Sequence, residues 1–193
     1  MHVATLDVFG PGGSGFDYAR LVALIGDRIE FVPRYRQRIQ PIPGRLANPV
    51  WVDDEDFDLT FHIRRSALPR PGSMDQLRDL VARIMSRRLD RSRPLWETYL
   101  VEGLEGGRFA ILAKSHQALV DGTTVDLAQL ILDDTPDAPQ TPDVRWQPDH
   151  QRSSVELVLD SVAQMVRDPG VVADAVRGQV IGLRALADRV RDA

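Results

Sequence analysis

Two strand-type runs, 97–102 and 108–115, lie five residues apart, and the connector Gly103-Leu104-Glu105-Gly106-Gly107 carries three glycines. Glycines in so short a connector supply the backbone angles of a tight reversal, so the two runs predict a β-hairpin. A helical pattern precedes the hairpin. Ser73 is a favourable cap with Gln76 three residues on, and Leu77, Leu80, Val81, Ile84 and Met85 share one face of a helix predicted over 74–88. A second helical pattern follows it, starting near Asp121 with Val125, Leu127, Leu130 and Ile131. A hairpin between amphipathic helices predicts an α/β fold.

The rest of the amino-terminal half fits that class. Residues 3–9 read as a strand stopped by Gly10-Pro11-Gly12-Gly13, and 17–29 as a helix carrying Leu21, Leu24, Ile25 and Ile29 on one face. Val32-Pro33 interrupts this helix before a basic stretch with Arg34, Arg36 and Arg38. The acidic cluster Asp53, Asp54, Glu55, Asp56 and Asp58 lacks the glycine turn and ligand spacing of a calcium loop, so it reads as a solvated turn. Phe61, Ile63 and their neighbours predict a strand closed by Pro69-Arg70-Pro71-Gly72, with His62 in a structural place. His2 and His150 read as solvent-facing, and Arg87, Arg88, Arg91 and Arg93 as a solvated helix end that could also attract phosphate.

Three domains of organisation emerge: residues 1–137 as one α/β domain, 138–152 as an acidic, proline-bearing linker, and 153–193 as a helical tail. In the tail, Val155, Val158, Val162 and Met165 form one stripe, and Val172, Val176, Val180, Leu183 and Val190 another, divided at Pro169-Gly170. Such a stripe suits a second domain, a partner chain or self-association, and secondarily the surface of a membrane or lipid inclusion.

Composition removes several chemistries. The chain has no cysteine, which excludes disulfides, cysteine-ligated zinc and a thiol nucleophile. A net charge of −4 offers nothing to hold a polyanion, so nucleic acid is not an expected partner. Of 24 basic residues only Lys114 is a lysine, which reads as the codon bias of a GC-rich genome. Without a signal-peptide pattern or a run of membrane-spanning length, the expected location is the cytoplasm.

The segment with chemical content is His116-Gln117-Ala118-Leu119-Val120-Asp121-Gly122, where a strand passes into a helix. A histidine there can serve as a general base near neutral pH. An aspartate five residues on can pair with an arginine and fix the turn, and Gly122 permits close approach. Taken alone, the same segment also fits a core histidine and a capping aspartate.

This segment resembles the His-His-x-x-x-Asp-Gly motif of the coenzyme A-dependent acyltransferases, and the chain most resembles the bacterial wax ester synthase/diacylglycerol acyltransferase family. The resemblance extends to Met1-His2-Val3, to 32–38, to Trp51-Val52-Asp53 with Phe57-Asp58-Leu59 and Phe61-His62-Ile63, and to 89–97 with its Pro94-Leu95-Trp96 core. It runs over residues 1 to about 137. It implies a mixed sheet flanked by helices, as one lobe of a chloramphenicol acetyltransferase-like α/β fold, and transfer of a fatty acyl group from acyl-coenzyme A to diacylglycerol or a long-chain alcohol. The products are triacylglycerol or wax ester, acyl-coenzyme A is a co-substrate, and no cofactor or metal is implied. A condensation-type domain shares the motif but not the residues matched outside it.

In the family the second histidine of the motif takes the hydroxyl proton. Gln117 stands at that position here, and a carboxamide cannot act as a general base. Two readings follow. In one, His116 takes the proton, Gln117 orients the hydroxyl, Asp121 and Gly122 keep the architecture, and Pro94, Leu95 and Trp96 line or support the site. In the other, the chain has lost transfer activity and serves as a lipid-binding or subunit-interaction module. The resemblance further implies a second, carboxy-terminal domain completing the substrate channel.

Overall fold

A computed structural model describes residues 1–11, 16–42, 48–120 and 148. The chain divides into two units, Met1–Ile39 with Trp51–Asp149 and Gln40–Val50 with His150–Ala193. The helix expected from Asp121, the linker 138–152, His150 and the tail 153–193 lie outside the described residues.

Six strands and three α-helices are described: β1 (His2–Phe9), α1 (Tyr18–Arg28), β2 (Gln37–Gln40), β3 (Val50–Asp53), α2 (Leu59–His62), β4 (Ile63–Ala67), α3 (Met74–Ser86), β5 (Trp96–Leu104) and β6 (Arg108–His116). The main sheet has the order β1-β6-β5-β4, and β2 pairs with β3 separately. β6 runs antiparallel to both β1 and β5, while β4 runs parallel to β5. The sheet is therefore mixed, as the family resemblance implies.

Side chains alternate across β5 and put a core on each face. Trp96 and Leu100 join Leu21 and Ile25 of α1, Ile29, Tyr35, Ile111 and Leu119 on one face. Tyr99 and Val101 join Leu77 and Ile84 of α3, Ala110 and Leu112 on the other. Leu104 returns to the α3 face because the β5–β6 register shifts between Val101 and Leu104. Gly72 has φ 79°, and a Cβ there would lie 2.0 Å from the carbonyl oxygen of Gly103, so the turn before α3 requires glycine.

The expected helix starts hold. Asp17 caps α1 by accepting from the Arg20 amide, and Ser73 and Gln76 form a reciprocal capping box on α3. Three expectations are corrected. Phe61 lies in α2 rather than in a strand, because Asp58 accepts from the Thr60 amide and starts a helical turn there. The acidic cluster is not a solvated turn throughout: Asp54 is buried, 3.9 Å from the Arg93 guanidinium, and Asp53 accepts from the Gln37 side chain. His2 is half-buried beside His116 rather than solvent-facing.

Candidate active site

β6 delivers His116 at its last residue. Alternation places His116 on the α3 face with Lys114 and Leu112. The chain then turns: the His116 carbonyl accepts from the Leu119 amide at 2.8 Å, and Leu119 buries in the core of the α1 face. The turn thus crosses the end of the sheet and leaves Gln117 and Ala118 exposed at its tip. The Gln117 amide donates to the Met1 carbonyl at 3.1 Å.

The His116 ring has two defined neighbours. Its Nδ1 accepts from the Ala118 amide at 3.1 Å, and its Nε2 lies 3.5 Å from the Met1 amino nitrogen. An Nδ1 that accepts is unprotonated, so the neutral ring carries its proton on Nε2, where it faces the Met1 ammonium without a hydrogen bond to it. Burial pushes the His116 pKa below its ordinary 6.5, and the positive charges of the amino terminus, His2 and Arg91 push it the same way. His116 is therefore neutral near pH 7, the state that a general base requires. His2 stands opposite in the β1–β6 register, its ring 6.0 Å away and edge-on. Burial and the Lys114 charge lower its pKa too.

The Pro94-Leu95-Trp96 segment is joined directly to this histidine. The His116 amide donates to the Leu95 carbonyl at 2.9 Å. Trp96 is buried, and its Nε1–H donates to the Tyr35 carbonyl at 2.7 Å. All three residues are buried, so they support the turn from beneath. Asp121 and Gly122, expected to hold the site's architecture, lie outside the described residues.

Lys114 escapes a reading by composition alone. It is only 1% exposed, and its Nζ donates to the carbonyls of Ile84 at 2.8 Å and Arg87 at 2.6 Å, at the carboxy-terminal end of α3. A cation there meets the last carbonyls and the negative pole of the helix, sharing the Ile84 carbonyl with the Arg87 amide. The one lysine of an arginine-rich chain thus fills a place suited to a compact ammonium with several donors. Its singularity in the sequence was the available signal. Of the four arginines weighed for phosphate attraction, Arg87, Arg88 and Arg91 are exposed, while Arg93 donates to the Asp56 carbonyl and lies over the Phe61 ring. Among the described residues no group of three or more histidine and acidic side chains could hold a metal, and no helix is long and apolar enough to cross a membrane.

With a histidine at the end of a strand, followed by a turn bonded to a Pro-Leu-Trp segment, the comparison with known proteins is decisive. The profile of the wax ester synthase/diacylglycerol acyltransferase catalytic domain matches residues 1–193. The chain belongs to this family. The match continues past residue 137, where the resemblance in the sequence was traced, to the end of the chain.

Similar proteins bear this out. A Mycobacterium tuberculosis protein described as probable diacylglycerol O-acyltransferase tgs3 is 45% identical over 95% of this chain and 68% of its own length. Another from the same organism, the putative diacylglycerol O-acyltransferase Rv3087, is 34% identical over 98% of this chain but 39% of its own. The structure of the wax ester synthase/diacylglycerol acyltransferase from Marinobacter aquaeolei VT8 superposes with a TM-score of 0.53 at 41% identity, over 64% of this chain and 31% of that one. The chain thus spans about a third of the solved relative.

Proposed function

We propose that this chain is part of an acyl-coenzyme A-dependent O-acyltransferase that esterifies diacylglycerol or a long-chain alcohol with a fatty acyl group, forming triacylglycerol or wax ester. The observation that carries the reading is His116: a neutral imidazole with an unprotonated Nδ1, at the strand-end position of the family motif. The acceptor's hydroxyl replaces the Ala118 amide at Nδ1, since apo hydrogen bonds of catalytic groups rearrange on substrate binding. As the hydroxyl oxygen attacks the thioester carbonyl, its proton passes to Nδ1. Collapse of the tetrahedral adduct breaks the carbon–sulfur bond, and the coenzyme A thiolate recovers that proton. No acyl-enzyme forms.

Gln117, exposed beside His116, hydrogen-bonds the incoming hydroxyl without accepting its proton. Residues beyond the span matched in the longer relatives complete the channel, as a further domain or a partner chain, and residues 153–193 supply a surface for it. The setting is cytoplasmic, with contact to a lipid surface where the acceptor resides, and no cofactor takes part. The test is release of free coenzyme A that depends on both acyl-coenzyme A and alcohol. His116→Ala is expected to abolish it, and unchanged turnover in that variant would remove His116 from the mechanism.

A further inference from the structure

His62 lies outside the motif, 1% exposed, at the junction of α2 and β4. Its Nδ1 stands 2.8 Å from the Trp96 carbonyl oxygen, which can only accept, so Nδ1 carries the proton. Its ring is stacked on Trp96 at 4.6 Å with the planes 16° apart, and on Phe57 at 5.4 Å and 20°. Nε2 then holds the lone pair, and among the described residues it has no hydrogen-bond partner. A merely apolar site would be filled more cheaply by a phenyl ring, because a buried unpaired acceptor is costly. What a phenyl ring cannot supply is the Nδ1–H bond.

That bond completes a pattern. Each carbonyl of the Pro-Leu-Trp segment has a donor: Pro94 the Trp96 amide at 2.9 Å, Leu95 the His116 amide at 2.9 Å, and Trp96 the His62 ring. A single fixed strip of backbone is thus held at one end by His62 and grips the backbone of His116 by its middle carbonyl. We infer that His62 is a positioning residue, whose Nδ1–H fixes the Pro94–Trp96 strip and through it the orientation of the His116 turn. It touches no substrate. The inference rests on the function proposed above only in giving the turn a catalytic use.

The test compares two substitutions in the full chain. Asparagine places an N–H near the position of Nδ1, whereas phenylalanine keeps the stacked ring and loses the donor. His62→Phe is expected to speed hydrogen exchange at the His116 amide by about fivefold or more, while amides at the centre of β6 keep their wild-type rates. It is expected to lower kcat for acyl transfer with KM for acyl-coenzyme A unchanged. His62→Asn should recover most of the protection and of the kcat. Wild-type exchange at His116 in His62→Phe, or failure of asparagine to rescue, would overturn the inference.

Should His62→Phe fail to fold, nitrogen NMR of the wild-type ring decides: a proton on Nδ1 alone at neutral pH is required, and a proton on Nε2 refutes the role. Loss of protection in a chain that releases no coenzyme A would support the coupling and count against the transferase reading.

Discussion

An imidazole takes up and returns a proton near neutral pH, whereas a carboxamide does neither, so with glutamine at the second position of the motif the proposed mechanism gives the proton to His116. General-base catalysis by a positioned side chain contributes roughly 10² to 10⁴ in rate. Gln117→His is therefore expected to raise kcat about tenfold or more with KM for acyl-coenzyme A unchanged, measured by thiol release. An unaltered or lower kcat would mean that Gln117 is matched to the site as it stands.

Burial is also the first cause of lowered pKa at His2, His62 and His116. At His62 the carboxylates of Asp54 and Glu97 oppose the shift and Arg93 adds to it. Each ring binds its proton less readily folded than unfolded, so the unfolded state takes up more protons as the pH falls. The stability these neutral rings contribute is complete above the ordinary 6.5 and is lost as the pH drops through 6.5 toward the lowered folded values. Thermal unfolding between pH 7 and about pH 5 is expected to show Tm falling, and His62→Asn should flatten that slope because the variant removes the most buried of the three rings.

At the scale of elements, Lys114 ties the end of α3 to β6 two residues before His116. Lys114→Met keeps the aliphatic bulk and removes the donors from two helix-end carbonyls. The expected loss is about 1–3 kcal/mol of stability by denaturant unfolding, with faster amide exchange at the carboxy-terminal turn of α3 ahead of its first turn. Equal exchange at both ends would show that the lysine does not secure that turn.

Elements with strong local signals were readable from the chain: α1 and α3 from their caps and apolar faces, β5 and β6 from the glycine-bearing reversal between them. β2 and β3 were not, since each has only four residues and too little alternation to mark a strand. α2 was misread because Phe61 and Ile63 fit strand alternation, while the decisive event is the Asp58 side chain accepting from the Thr60 amide. The site divides the same way. Its motif order is local and legible, but the Leu95–His116 bond and the two carbonyls on Lys114 join residues far apart in the chain, which no spacing rule reaches.

Across the whole molecule, the described unit supplies a sheet with a core on each face and a histidine turn at one end of its β6 strand. The chain covers 68% of one mycobacterial relative and 31% of the solved Marinobacter enzyme.

The most direct measurement is coenzyme A release from acyl-coenzyme A and diacylglycerol, with the carboxy-terminal part of a longer relative added, comparing wild type with His116→Ala. The account predicts alcohol-dependent release by the wild type and its loss in the variant, with His116→Ala still folded by circular dichroism. Equal release by both proteins would contradict the assignment of the proton to His116.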